Sequence, residues 1–221
     1  AQDAMTIGEI ARRAGLGLAL ERSRRRAEAT AQRLAQLQRA TATLARALPM
    51  HEVLDAIITL AVEETGAFMG AIYEVSQDEA EFVLLGHSGL GAELAVRYAR
   101  VPVATPLPIG DAARLREPVF LQDRSEWLAR YTIEPTRDGV RVVDGAWAVV
   151  PLIAEERLVG ALTLSFPASR PFDAGDREYL TALAAQCAHA LDRARLHTQV
   201  REKLQAAEAA SQAKSQFLAN M

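Results

Sequence analysis

The sequence predicts an α+β fold: a central antiparallel sheet flanked by helices, with long coiled-coil helices at both ends of the chain. Three observations predict it. Each end carries a long run rich in Ala, Leu, Arg and Gln, with apolar or small residues stepping by three and four, the spacing of a helical seam. Between these runs lie two pairs of β-rich stretches, each pair joined by a short polar turn. Half of the 221 residues are hydrophobic and 24% are charged, enough apolar surface for a packed core and too much for a disordered chain.

Residues 1–48 form the first part. No proline occurs before Pro49. Ala27, Thr30, Leu34, Leu37, Thr41, Leu44 and Leu48 form the seam, which Gly15 and Gly17 weaken near the start. The cluster Arg22, Arg24, Arg25 and Arg26, flanked by Glu21 and Glu28, reads as a solvated helix face rather than a nucleic-acid or membrane patch.

Residues 49–172 form the core. Pro49 opens a helix whose apolar face is Val53, Leu54, Ile57, Ile58, Ala61 and Val62, and Gly66 ends it, as a glycine just past a helix commonly does. Strands are expected at Gly70–Val75 and Glu81–Gly86. Short helices are expected around Ala92–Tyr98, Asp111–Arg116 and Ser125–Tyr131. Two stronger strands follow, Ala146–Ile153 and Leu158–Phe166. With Glu155-Glu156 as a two-residue loop, Ile153 pairs with Leu158 and Trp147 with Leu164. That register puts the bulky Trp147, Val149, Leu162 and Leu164 on one face. Ala146, Ala148, Ala161, Thr163 and Ser165 fall on the other. Small residues there either admit a helix closely or leave room for a ligand, and the pattern does not choose.

Residues 173–221 form the last part. Asp173 is placed to cap a helix, with Asp176 in its first turn. Leu180, Leu183, Cys187, Ala190 and Ala194 give one seam. Val200, Leu204, Ala207 and Ser211 continue it after a register change.

Composition narrows the function classes. A net charge of −3 is too small to point to nucleic acid. The single cysteine, Cys187, excludes an intrachain disulfide framework and a cysteine zinc site. No run approaches the roughly 20 apolar residues that span a bilayer, and no secretory signal is visible; a cytoplasmic location without membrane contact from this segment is expected. No pair of histidines or carboxylates has a metal-binding spacing.

The stretch Val149-Val150-Pro151-Leu152-Ile153-Ala154-Glu155-Glu156-Arg157-Leu158-Val159-Gly160-Ala161-Leu162-Thr163-Leu164-Ser165-Phe166, then Arg170-Pro171-Phe172, then the alanine-rich Leu183–Leu196, resembles GAF domains of bacterial signalling proteins. Thr105–Ala112 and Glu117–Leu121 fit the same pattern. The resemblance spans roughly residues 40 to 197. It implies a GAF-like antiparallel sheet with the terminal helices on one face and a small-molecule pocket on the other. Ile7–Arg22 resembles the closing helix of another such sensor domain. The final octet, Lys214-Ser215-Gln216-Phe217-Leu218-Ala219-Asn220-Met221, resembles the start of the phosphoacceptor helix of sensor histidine kinases. In that pattern the phosphorylated histidine falls two residues beyond Met221.

These resemblances imply a sensory or relay module of a two-component histidine kinase. It would dimerise in parallel through its terminal helices and regulate phosphotransfer and ATP-binding domains that follow in the same chain. The segment itself would not be an enzyme. Ligand contacts are expected from the lid region of the family, Arg97, Tyr98, Trp127 and Tyr131, and from the strands, Trp147, Thr163 and Ser165. His87, after the second strand, is placed to reach the pocket and to ligate haem iron, with a plain polar strand end as the alternative. A covalent bilin is not expected, because the lone Cys187 lies on the final helix, where a packing role is expected and a sensing thiol is the alternative. The core also lacks the cysteines of the related methionine-sulfoxide reductases. Cyclic nucleotide is disfavoured: Phe172-Asp173-Ala174-Gly175-Asp176-Arg177 keeps F-x-x-x-D but has Arg177 where cyclic-nucleotide binders carry glutamate, and Asn220 is the only asparagine. The rival readings are a ligand-free dimerisation spacer and a haem or redox sensor built on His87 or Cys187.

Overall fold

The computed structural model describes residues 50–133, 136–137, 140–141 and 144–219, with isolated positions between 21 and 38. Residues 1–39 and 40–221 are separate compact units. In the first, the described positions 21, 24, 28, 31, 35 and 38 are helical, and Arg24 pairs with Glu28 one turn on at 2.7 Å. The seam residues expected from Ala27 to Leu48, the resemblance at Ile7–Arg22 apart from Glu21, and Asn220 and Met221 lie outside the described residues.

In the second unit, helix α1 (Met50–Thr65) buries Val53, Leu54, Ile57, Ile58 and Ala61. It stops at Gly66, whose φ of 71° lets its amide donate to the Val62 carbonyl at 3.1 Å. Strands β1 (Met69–Val75) and β2 (Glu81–Ser88) follow, then α2 (Ala92–Arg97) and β3 (Arg100–Pro102). Helix α3 (Pro108–Leu115), β4 (Val119–Leu121) and α4 (Arg124–Arg130) come next. A two-residue pair, β5 (Thr136–Arg137) with β6 (Val140–Arg141), stands apart from the main sheet. The long hairpin β7 (Ala146–Ala154) and β8 (Arg157–Phe166) leads into α5 (Ala174–Ala219).

The main sheet has the order β3-β2-β1-β8-β7-β4, and every neighbouring pair is antiparallel. Both edges are three-residue strands, and Pro102 sits in one of them. Short edges and an edge proline leave little ladder open for pairing with another chain. Strands this short show no period, which is why the sequence reading has none at β3 or β4.

The β7–β8 register corrects the expected one. Ile153 does pair with Leu158, but the next pair is Leu152 with Gly160, so Val159 is an extra residue and Trp147 lies opposite Ser165. One bulged residue moves every later side chain of β8 to the other face. Trp147 and Val149 therefore share a face with Ala161, Thr163 and Ser165, whereas Ala146 and Ala148 share theirs with Leu162 and Leu164. A second bulge, at Leu85, separates the pairs Ile72–Gly86 and Tyr73–Leu84.

The two faces have different covers. Helices α1 and α5 pack together on the face of Ile72, Ala148, Leu162 and Leu164. The helix comes close over the glycines of β1 and β2: a Cβ on Gly70 or Gly86 would meet Val62 at 2.8 Å or Ile58 at 2.9 Å. Leu180, Leu183, Cys187, Ala190 and Ala194 of α5 are all buried, so the first half of the expected coiled-coil seam packs within the chain's own core. Three-and-four spacing serves a sheet-facing stripe as well as a dimer seam. Asp173 accepts from the Asp176 amide at 2.7 Å, and the Asp176 carboxylate accepts from the Asp173 amide at 3.3 Å, a reciprocal cap for the start of α5. The opposite face of the sheet carries a second apolar cluster, covered by α3 and α4.

Candidate functional site

A cavity of about 140 Å³ lies between that second face and the segment from Leu90 to Trp127 that covers it. Its floor comes from three adjacent strands. β1 contributes Met69, Ala71 and Tyr73, β8 contributes Thr163, Leu164 and Ser165, and β7 contributes Trp147 and Val149. The bulge at Val159 is what brings the small side chains of β8 under the large ones of β7, leaving a space instead of a filled core. The walls are Leu90, Leu94 and Tyr98 around α2, Leu107, Pro108 and Ile109 at the start of α3, and Trp127 on α4.

The position of Trp127 is set locally. Asp123 caps α4 by accepting from the Glu126 amide at 2.9 Å, and the Glu126 carboxylate reaches back past the cap to accept from the Gln122 amide at 2.9 Å. Hydrogen bonds from Ser125 and the Glu126 amide hold the Asp123 carboxyl below its usual range. One turn into this helix, the Trp127 indole N–H donates to the Ile133 carbonyl at 2.7 Å. Its ring lies 4.8 Å from that of Trp147, tilted by 58°. Tyr131 packs edge-on against Trp127 at 5.6 Å and donates its hydroxyl to Asp111 at 2.8 Å. Asp111 also pairs with Arg114 and, at 3.4 Å, with Arg130. Burial, followed by the bond to Asp111, pushes the Tyr131 phenol well above its ordinary value. This network ties α4 to α3 across the roof of the cavity.

Of the residues expected from sequence, Tyr98, Trp127, Trp147, Thr163 and Ser165 line the cavity. Tyr131 does not line it but braces Trp127 from behind. Arg97 is exposed, with its guanidinium 5.7 Å from the centre of the Tyr98 ring. His87 is exposed near the end of β2 and is not in the cavity wall, so its expected route to a pocket-bound haem is missing. Cys187 is fully buried on the α5 side of the sheet. Burial pushes its thiol up to about 12, the reverse of what a reactive thiol needs. Among the described residues no group of three or more His, Cys, Asp and Glu could hold a metal ion, and no helix is long and apolar enough to cross a membrane.

Sequence reasoning missed the β1 contribution and the aliphatic walls. The alternation of β1 was readable, but its partner is β8, a pairing between strands distant in the chain. Nothing local marks it.

No side chain lining the cavity is charged. Its polar atoms are hydroxyls and indole nitrogens. Burial, then the electrostatic influence of the neighbouring Tyr98, pushes the Tyr73 phenol up to about 12. The Thr163 hydroxyl donates a long bond, 3.4 Å, to the Ala71 carbonyl.

Comparison with known proteins agrees with this architecture. A family model described as GAF domain matches residues 47–192. No curated protein matches the chain. Among solved structures, the GAF domain of a phosphoenolpyruvate-protein phosphotransferase from Coxiella burnetii superposes with a TM-score of 0.65 at 21% identity, covering 76% of this chain and 96% of that one. A free methionine-R-sulfoxide reductase from Neisseria meningitidis, solved with its substrate, gives 0.56 at 20% identity over 73% and 89%. The GAF-B domain of DevS from Mycobacterium smegmatis gives 0.52 at 26% identity over 68% and 98%.

Proposed function

The chain belongs to the GAF domain family, and from that premise we propose that it is the sensory and signal-relay module of a two-component histidine kinase. The observation that carries the reading is the continuity of α5. This helix runs without a break from its cap at Asp173, across the sheet, to Ala219. At 46 residues it is about 70 Å long, far more than the core beneath it needs. Its last turns contain Lys214–Ala219 of the octet that resembles a phosphoacceptor helix. The sensor core and the phosphorylated segment would then share one rod. A ligand would act by binding two states of that rod unequally.

Dimerisation through the terminal helices is part of the proposal. Beyond Ala194, large apolar residues of α5 face solvent among the described residues: Leu196, Val200 and Leu204 are 52%, 66% and 58% exposed. They step by four along one side of the helix, the stripe that a parallel second copy would cover. The seam therefore begins after the core ends. Sedimentation of the 221-residue chain gives a dimer under this reading, and Val200→Glu with Leu204→Glu gives a monomer. A wild-type monomer at all accessible concentrations refutes the dimer.

The kinase assignment is tested on the full-length protein by following autophosphorylation. Leu204→Pro breaks the rod by about 3 kcal/mol or more, and kinase activity should lose its dependence on the sensor. Unchanged regulation in that variant refutes the rod, and a chain lacking histidine two residues after Met221 refutes the kinase assignment.

One observation favours the rival of a ligand-free dimerisation spacer. The cavity is well below the roughly 300–1,000 Å³ of most ligand pockets. Trp127 and Trp147 are the only tryptophans and both line it. A ligand therefore changes indole emission directly, and a silent response to every regulator of the kinase would favour the spacer.

A further inference from the structure

The geometry points to an uncharged ligand for this cavity: a single aromatic ring bearing one hydroxyl or similar hydrogen-bonding substituent, with the ring among Trp127, Trp147 and Tyr98 and the substituent on Ser165. The inference rests on the reading of the cavity as the sensory site.

Size sets the first limit. A cavity of about 140 Å³ matches the roughly 150 Å³ that accommodates one benzene molecule in an apolar protein interior. A nucleotide or a tetrapyrrole is several times larger.

Charge sets the second. With no charged side chain in the wall, a carboxylate or ammonium would give up hydration with no countercharge to replace it. A neutral ring gives up little.

Ser165 sets the third. It is 4% exposed and the only polar residue in the buried core of the described residues. Its backbone carbonyl accepts from the Phe68 amide at 3.0 Å, and the residue borders the cavity. Thr163, two residues away on the same strand face, donates to the Ala71 carbonyl. A hydroxyl on the floor of the cavity can donate to, or accept from, a polar atom of whatever fills it. The aromatic walls supply edge and face contacts for a ring beside it.

Tryptophan emission of the 221-residue chain tests this with benzyl alcohol, toluene, benzoate, benzylammonium and cyclic AMP as probes. Benzyl alcohol should give a saturable change, with benzoate and benzylammonium at least tenfold weaker and cyclic AMP silent. Ser165→Ala should weaken benzyl alcohol about fivefold, the loss of one hydrogen bond, and leave toluene unchanged. Tight benzoate or cyclic AMP binding, no response to any neutral ring, or an equal loss for toluene in Ser165→Ala each overturns the assignment. Autophosphorylation of the full-length protein separates this from the sensor reading. Benzyl alcohol that binds without altering kinase activity refutes the sensor role and leaves the ligand class standing. Regulation by some other ligand, with no neutral ring bound, refutes the ligand class alone.

Discussion

Replacing Gly160 by alanine should be among the most damaging single-methyl changes in the protein. Gly160 follows the bulged Val159 on β8 and lies between Glu74 of β1 and Leu152 of β7. A Cβ built there would sit 2.0 Å from the Tyr73 carbonyl oxygen, 3.1 Å from its carbon and 3.3 Å from the Glu74 Cα. All three are backbone atoms, so no side-chain rotation relieves the contact. Ordinary carbon–oxygen approaches between strands begin near 3.3 Å. The strands must therefore part by about 1 Å, enough to break the neighbouring β1–β8 hydrogen bonds. Two such bonds, each costing about 1–3 kcal/mol when buried groups lose their partners, give about 2–6 kcal/mol. Domains of this size shift in Tm by about 2–4 °C per kcal/mol, so a fall of about 10 °C is expected.

The control is Gly66→Ala, the same added methyl at the end of α1. Nothing lies within 4 Å of a Cβ there, but φ is 71°, and the left-handed conformation alone costs about 1–2 kcal/mol. Guanidinium melts followed by circular dichroism separate steric overlap from backbone strain. Tryptophan emission of Gly160→Ala should also change, because the displaced carbonyl belongs to Tyr73, which lines the cavity. Stabilities of the two variants within about 0.5 kcal/mol of each other would refute the reasoning.

Other outcomes follow from the buried titrating groups and the roof of the cavity. Tyr73 and Cys187 are both pushed up to about 12, from 10.0 and 9.0. They hold their protons in the folded protein where the unfolded chain has lost them, so the stability they contribute is intact below about pH 9 and falls as pH rises toward 12. Urea melts at increasing alkaline pH check this, and Cys187→Ala should flatten the decline. The Cys187 thiol should react with a disulfide reagent at neutral pH only as fast as the protein unfolds; rapid labelling of the native state would contradict its burial. Tyr131→Phe removes the bond to Asp111 but leaves that carboxylate with Arg114 and Arg130, so the loss should fall at the low end for a charged acceptor, about 1.5 kcal/mol, with a shift in Trp127 emission.

The sequence made the layers legible because burial imposes period. The seam of α1, the four longer strands and the stripe of α5 each repeat in step with their own geometry, and each falls in the structure within two residues of its expected bounds where those bounds are described. The register of β8 was not legible. Val159 resembles any strand residue, and its role as the extra one depends on Gly160 fitting against the Tyr73 backbone, a contact with a strand far away in the chain. That single residue decides whether Thr163 and Ser165 share a face with Trp147. Several of the expected side chains line the cavity, but the expected register paired them with the wrong neighbours. His87 was expected for its chemistry and Arg97 for its place in the lid region, yet both end where β2 and α2 meet solvent, and neither chemistry nor chain position carries information about direction.

Under the relay reading, the alternation of β1 and β8 also limits the size of any signal. Thr163 and Ser165 face the cavity, whereas Leu162 faces the helices. On β1, Tyr73 lines the cavity, and its neighbour Glu74 pairs with Arg195 at 3.0 Å. Arg157, at the start of β8, pairs with Asp192 at 2.5 Å. These two ion pairs tie α5 to the sheet just before Leu196 turns to solvent. A ligand that moves Tyr73 therefore pulls on the last fixed point of the rod. Partly exposed pairs of this kind contribute about 0.2–1 kcal/mol each, so the ties alone can transmit at most about 2 kcal/mol, a factor of about 30. That lies within the usual range of coupling between sites. A larger regulatory ratio would require the buried stripe from Leu180 to Ala194 to slide over the sheet. The small residues beneath it, Ala146 and Ala148, give a smooth surface for such movement, and the close packing around Leu183 and Cys187 resists it.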